Sequence, residues 1–333
     1  MFLSILTASL DRGKYLKKLY KSLLSQKFKK FEWIIGDDAS TDETEKIVKK
    51  FINEKKIKII YFKASLHIGK IVLDNALLSK AKGEFIIHCD SDDFFRKKSL
   101  SFFFSTYHKN RNLFKKDLVG IISQNLSTTG ASQTYNKNYL PIENKIYTWE
   151  DARKFIKGDG TIFVKRKIFK NKKFPEVDFI SNESILLENL YKGKKFILSK
   201  KVTKIMDRSA NLSVSFGNKL RYCRGSMFSI IHSLSLQKYN DLTFFKKLKL
   251  NINYSRYSIH ADVNFSKAKK NWVISRNNKI YFIYYIAAQL ICSIDRFRNK
   301  VVKTHIEFDL NKKKYKIIEI YNYRKNYKAI DKL

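Results

Sequence analysis

GEFIIHCDSDDFF (Gly83–Phe95) decides the fold. Glu84 to Cys89 reads as a short buried strand that runs without a break into Asp90, Ser91, Asp92 and Asp93. Burying even one unpaired carboxylate costs several kcal/mol. A strand ending in three of them therefore calls for a cation, a hydroxyl-rich ligand or open water at that end. In an open α/β sheet, ligands bind outside the carboxyl ends of the strands. A D-x-D placed there suits a hard divalent ion, Mg2+ or Mn2+, shared with substrate phosphates. The competing reading is that Asp92 or Asp93 caps the helix that follows, with Phe94 and Phe95 packed beneath it.

Upstream, strand and helix patterns alternate. Phe2–Ala8 predicts a strand, and Lys14–Gln26 a helix with Tyr15, Leu16, Leu19, Leu23 and Leu24 at helical spacing. Phe31–Gly36 predicts the next strand, which runs into Asp37 and Asp38. A helix opens there, with Asp42 and Glu45 spaced as a capping box. Ile57–Phe62 predicts a third strand and Ile68–Ala81 a helix. Such alternation implies an α/β fold with a mostly parallel sheet and right-handed crossovers. Neither G-x-G-x-x-G nor G-x-x-x-x-G-K-[ST] occurs, so the glycine-rich dinucleotide and P-loop signatures are missing.

Charge narrows the partners. The 333 residues carry 68 Lys and Arg against 30 Asp and Glu, a formal net of +38, and 28 basic against 8 acidic residues fall in 201–333. Such a field favours nucleic acid, an anionic bilayer face or phosphate-bearing substrates. Three carboxylates at a strand end repel nucleic-acid phosphate, so no nucleic acid is expected. Aromatic content of 14 % with 11 Gly and 2 Pro excludes a disordered chain. Cys89, Cys223 and Cys292 are far apart and form no C-x-x-C, which fits a reducing, cytoplasmic compartment and no zinc site. Asp11, Arg12 and Lys14 follow Phe2–Ala8 at once, so no leader is expected. The longest apolar run, Ile280–Ile294, has 15 residues. A spanning helix needs about 20, so no transmembrane segment is expected.

Thr7-Ala-Ser-Leu-Asp-Arg12, Asp37-Asp-Ala-Ser-Thr-Asp42, His67-Ile-Gly-Lys70 with Asn75, Ala81-Lys-Gly-Glu84 and Asp90-Ser-Asp-Asp93 together resemble the family 2 glycosyltransferases of GT-A fold that act in bacterial surface polysaccharide synthesis. The resemblance covers residues 1 to about 210. It implies a glycosyltransferase that moves a sugar from a nucleoside diphosphate donor, UDP-linked by preference, to a hydroxyl of a glycan or lipid-linked acceptor, with inversion. It also implies a donor site at Thr7, Ala8, Ser9, Arg12, Asp38, Ser40, Gly69, Lys70, Asp90, Ser91 and Asp92. Asp38 would accept the N3–H of a uracil-like base, Asp90 would take ribose or sugar hydroxyls, and Asp92 would ligate the metal with Asp90 and Asp93 in support. Ser40 and Thr41 read equally as helix caps, Arg12 as a surface salt bridge and Lys70 as solvated. Leu10, Asp11, Ala39 and His67 depart from the family's pattern. His88, inside the fourth strand, reads as a core histidine. A sugar nucleotidyltransferase would need a glycine-rich loop near the amino terminus, and Thr7–Gly13 is not one. A catalytically silent, basic binding protein is the remaining rival.

Leu118–Asn125 predicts a fifth strand, Ser127–Ile146 a lid or acceptor loop, and Thr161–Lys165 a strand after the turn Gly158-Asp-Gly160. Thr148 and Asp151 open a short helix. In Phe174–Glu188 the resemblance places a catalytic base at Glu183, in the first turn of a helix capped by Ser181 or Asn182, with Asp178, Asp159 and Glu188 as alternatives. The catalytic domain is expected over 1–214, closing with Val202–Met206 and Arg208. A helical, basic region follows over 215–333. Its stretch Lys279–Arg298 sets Tyr281, Phe282, Tyr284 and Tyr285 among cations, which suits either a peripheral membrane contact or burial against the catalytic domain or a second subunit, as in a homodimer. Thr304–Phe308 and Lys314–Ile320 alternate as a hairpin would.

Overall fold

The computed structural model describes residues 1–176, 183–207, 222–233, 241–272, 278–297 and 317–322. They fall into two compact units. One comprises Met1–Lys173, Glu188–Asn211 and Lys314–Leu333, the other Phe174–Leu187 and Leu212–Lys313.

The first unit is built on one mixed sheet. Its first half alternates as the sequence predicts: β1 (Leu3–Ser9), α1 (Gly13–Leu24), β2 (Phe31–Asp37), α2 (Thr44–Asn53), β3 (Lys58–Ala64), α3 (Lys70–Lys80) and β4 (Phe85–His88). These four strands are parallel, in the order β3-β2-β1-β4. They are largely buried on both faces, as expected of a parallel sheet covered on both sides by helices. Leu16, Leu19 and Leu23 of α1 and Val48, Phe51 and Ile52 of α2 are buried, and Tyr20 stacks on Phe51 at 4.0 Å.

Beyond β4 the sheet becomes mixed. The two-residue β5 (Phe94–Phe95), α4 (Ser99–Lys109) and α5 (Arg111–Phe114) lead into β6 (Leu118–Ser127), and then come β7 (Ile146–Thr148), α6 (Trp149–Phe155) and β8 (Thr161–Lys165). After α7 (Ser184–Tyr191), β9 (Lys195–Met206) pairs parallel with β6 and antiparallel with β5 and β7. β8 lies antiparallel between β4 and β6, and Phe163 stacks on Phe85 at 4.3 Å. At the far edge β10 (Ile317–Asn322) runs antiparallel to β3, so the alternating tail segment joins the sheet. Its expected hairpin partner, 304–308, lies outside the described residues.

Ser127–Ile146 is not a free lid. Within it Thr134 and Tyr135 are buried, and the Tyr135 hydroxyl donates to the carbonyls of Ile122 and Ser199 at 3.1 Å each, which fastens the stretch to β6 and β9. On α6 the predicted cap is present, since Thr148 Oγ1 accepts from Asp151 N at 3.2 Å.

In the second unit α8 (Cys223–Ser233) and the helices Phe244–His260, Phe265–Asn271 and Asn278–Phe297 enclose a core of Cys223, Met227, Tyr254, Tyr257, Trp272 and Tyr281. Helical periodicity is borne out here.

Candidate functional site

The order β3-β2-β1-β4 reverses direction between β1 and β4, and this reversal opens a crevice at their carboxyl ends. β1 and β2 end level, with Ser9 opposite Asp37, while β4 leaves the sheet at His88 opposite Leu6. The loops after β1, β2, β3 and β4 therefore meet at one place.

Hydrogen bonds knit the first three loops together. Asp11 sits at φ 51° and its Oδ1 accepts from the amides of Thr41 at 2.7 Å and Asp42 at 3.1 Å. In return Ser40 Oγ accepts from Asp11 N at 2.9 Å and Asp42 Oδ2 from Gly13 N at 3.2 Å. Ser40 is thus a tie between loops and not a helix cap. Asp42 also accepts from Thr44 N at 2.9 Å, which replaces the expected capping box with Glu45. Asp37 is fully buried, accepting from Ser40 N and Tyr61 Oη, and burial pushes its carboxyl above the ordinary range.

Asp38 lies 4 % exposed and serves the loop after β3. One carboxylate oxygen accepts from Ile68 N at 2.7 Å, the other from Gly69 N at 3.0 Å, and His67 Nδ1 lies 2.8 Å away. The carboxylate that the resemblance assigns to a base is thus engaged by its own chain. These contacts also explain why α3 begins at Lys70 instead of Ile68: two amides that would have joined the helix turn to Asp38, and Gly69 takes a φ of 87° that favours glycine. Lys70 Nζ lies 2.8 Å from Asp74 Oδ2, one turn along α3.

Of the β1 residues, Thr7 is buried and its Oγ1 accepts from Trp33 Nε1 at 3.0 Å, so it braces the strand from within the core. Ala8 is half-buried. Ser9 is buried, and its Oγ finds no hydrogen-bond partner among the described residues. An orphaned buried hydroxyl costs about 1–3 kcal/mol.

The acidic turn divides its carboxylates between two tasks. Asp90 is exposed, Asp92 half-buried, and Ser91 and Asp93 buried. Arg12 Nη1 lies 3.3 Å from Asp92 Oδ2. Burial and the adjacent Asp90 push the Asp92 carboxyl above the ordinary range, with Arg12 opposing. Asp93 faces the other way: its Oδ2 lies 2.6 Å from Lys204 Nζ of β9, both side chains under a tenth exposed. Asp93 N donates to the Asp90 carbonyl at 3.1 Å and Arg96 N to the Thr203 carbonyl at 2.9 Å, so β9 clamps the turn from behind. Asp93 is anchored in this way, which leaves Asp90 and Asp92 as the pair that a divalent ion fits: two carboxylates, Asp90 raising the proton affinity of Asp92, at an open strand end.

Lys204 was not among the residues singled out from sequence. It is 111 positions from Asp93, opposite Phe95 in the β5–β9 pair, and no local sequence pattern joins them. His88 is not a core residue either; its side chain is 34 % exposed, with Nδ1 3.9 Å from Asp74 Oδ1.

Glu183 belongs to the second unit. It immediately precedes α7, and its carbonyl accepts from Leu187 N at 3.2 Å, the N-cap position and not the first turn. Ser181, Asn182, Asp178 and Arg208 lie outside the described residues. Of the alternatives, Glu188 pairs with Arg153 at 2.6 Å. A cavity of about 530 Å³ lies at the opposite ends of the strands, by Leu118 and Lys195 where β6 and β9 begin, and no predicted site residue lines it.

Known proteins resemble this chain over the same elements. A Campylobacter jejuni GalNAc(5)-diNAcBac-PP-undecaprenol beta-1,3-glucosyltransferase is 30 % identical over 206 residues, 60 % of this chain and 62 % of that protein. The poly(ribitol-phosphate) beta-N-acetylglucosaminyltransferase TarS of Staphylococcus aureus is 33 % identical over 120 residues, 34 % of this chain and 21 % of TarS. The chain thus spans under two thirds of the length of each. The crystal structure of S. aureus TarS 1-349 in complex with UDP-GlcNAc superposes with a TM-score of 0.57 at 16 % identity, over 90 % of this chain and 92 % of that one, and shares its fold. Residues 4–171, half of the sequence and every strand end of the crevice, match Glycosyl transferase family 2, and the chain belongs to that family.

Proposed function

We propose that this chain transfers a sugar from a UDP-sugar, with inversion, to a hydroxyl of a glycan or lipid-linked acceptor in surface polysaccharide assembly. The observation that carries the reading is the Asp90 and Asp92 pair beside Arg12 at the β1–β4 reversal of a family 2 fold. The UDP-GlcNAc complex of the TarS fold and the undecaprenol-linked substrate in the name of the C. jejuni relative support the donor and acceptor classes. An acceptor of that class would be met at the inner face of the cytoplasmic membrane.

Asp92 and Asp90 would hold Mg2+ or Mn2+, which supplies charge neutralisation for the departing nucleoside diphosphate. Arg12 adds a second cation at the same point, and the orphaned Ser9 hydroxyl offers the donor a hydrogen bond. Asp38 and Ser40 act through the loops that they fasten, and Asp93 through its hold on the turn. Glu183 serves as general base. It takes the proton of the acceptor hydroxyl as that oxygen bonds to the anomeric carbon and the bond to the diphosphate breaks on the opposite face.

The test is thermal stabilisation by UDP, GDP, dTDP and CMP with and without Mn2+, on the natural chain, Asp92→Ala and Glu183→Gln. Metal-dependent stabilisation by UDP alone is expected. Asp92→Ala should abolish it, whereas Glu183→Gln should keep it while losing about 100-fold or more of transfer. A natural chain that no nucleotide stabilises would overturn the reading, and retained anomeric configuration in the product would overturn inversion.

A further inference from the structure

The helix Asn278–Phe297 of the second unit is apolar on two sides. Tyr281, Ala288, Cys292 and Asp295 are buried on one of them. Asp295 is held there by the guanidinium fork of Arg256 at 2.6 and 2.5 Å and by His260 Nε2 at 3.1 Å. At 3.6 residues per turn, Phe282, Ile283, Ile286, Leu290 and Ile294 fall together on the opposite side. All five are between 43 and 67 % exposed, and between Phe282 and Ile294 only the uncharged Gln289 and Ser293 share the stripe with them. An ordinary surface helix turns charged residues to water there. A continuous exposed apolar face of this kind marks a contact surface.

Charge identifies what covers it. The helices Phe244–His260, Phe265–Asn271 and Asn278–Phe297 contain nine Lys and Arg and one acidic residue, Asp295, which is the one buried against Arg256. Phe244 and Phe245, both exposed, are followed by exposed Lys246 and Lys249. Two copies of so basic a surface repel each other, whereas lipid phosphates attract it. No helix among the described residues is long and apolar enough to cross a membrane, so the contact lies in the plane of the bilayer.

We propose that the face of Asn278–Phe297 formed by Phe282, Ile283, Ile286, Leu290 and Ile294 seats in the headgroup region of an anionic bilayer, with the surrounding Lys and Arg against lipid phosphates. An apolar stripe flanked by cations on a helix too short to span is the geometry of an interfacial helix. The inference is independent of the donor chemistry, because neither the stripe nor its cations belong to the crevice.

The test is flotation of the full chain with phosphatidylcholine vesicles, with and without phosphatidylglycerol, for the natural sequence, Ile286→Glu/Leu290→Glu and the conservative Ile286→Leu. Binding that requires phosphatidylglycerol is expected, weakened at least about tenfold in the double-Glu variant and kept in Ile286→Leu. Both altered residues are exposed, so the melting profile should be unchanged, and so should any stabilisation by UDP. Equal binding by the double-Glu variant, no binding by the natural chain, or no preference for phosphatidylglycerol would overturn the proposal. A natural-chain dimer that the double-Glu variant dissolves, seen by light scattering, would assign the face to a second copy instead.

Discussion

Replacing Lys204 by Met should be the most damaging single change near the acidic turn that touches no proposed ligand. The ammonium lies 2.6 Å from Asp93 Oδ2, with the two side chains 7 and 4 % exposed. At that distance and an effective dielectric of about 20, the attraction is about 6 kcal/mol. Part of it is recovered when the orphaned carboxyl takes up a proton, which leaves a net loss of about 3–5 kcal/mol, the usual cost of removing one partner of a buried pair. The pH dependence has a definite sign. Burial pushes Asp93 up to about 6 even beside Lys204, and without the ammonium it rises further. A carboxyl whose folded pKa exceeds its unfolded value favours the fold when protonated. The deficit of Lys204→Met should therefore be smallest near pH 4 and grow as pH rises through and beyond 6. Denaturant unfolding followed by the fluorescence of Trp33 and Trp149, both in the first unit, reads the loss. Lys204→Met/Asp93→Leu should recover most of it, since an apolar pair replaces a buried ion pair at little cost. A single-variant loss under about 1 kcal/mol at pH 8, the value of an exposed pair, would refute the reasoning. So would a double variant as unstable as the single one.

Two further outcomes follow from the sheet. At Gly83 a Cβ would lie 2.5 Å from Ser4 N and 2.7 Å from the Leu3 carbonyl carbon, so Gly83→Ala should part β1 from the turn before β4 and cost about 1–3 kcal/mol or more in the same unfolding measurement. Glu32, fully buried, accepts from Ser4 Oγ at 2.7 Å and Lys82 N at 2.8 Å and pairs with Lys58 at 2.5 Å; burial raises its carboxyl, but these partners outweigh it and hold the pKa below 4.5. Its stabilising contribution is present above 4.5 and lost as pH falls through the lower folded value, so Glu32→Gln should flatten the acid limb of the stability curve measured from pH 5 downward.

The parts of this fold that sequence makes legible are those whose cause is local. Phe85–His88 running into Asp90 is visible because a buried strand and its charged end are adjacent in the chain, and Thr161–Lys165 is bounded by its own glycine turn. Helix α3 starts two residues late because Asp38, 30 residues earlier, captures the amides of Ile68 and Gly69. Ser127–Ile146 reads as a polar lid until Tyr135 is seen to bond two strands that are 77 residues apart. The acidic turn itself was legible as a cluster, but its division was not. Which carboxylate faces the crevice and which is anchored depends on Lys204, and pairing between distant strands leaves no periodic trace.

Asp11, Ser40, Asp42 and Asp38 bind the loops after β1, β2 and β3 into one piece. For anyone redesigning donor preference, the unit of exchange is therefore larger than a loop. Grafting a 37–42 segment that lacks the side chains of Asp38, Ser40 and Asp42 would strand the amides of Asp11, Gly13, Ile68 and Gly69 that they now satisfy, and a 67–70 segment with a different backbone path would turn its amides away from the buried Asp38. Recombination at this crevice has to carry three segments together, and variation confined to one of them is filtered out by misfolding before it can be tested on any sugar.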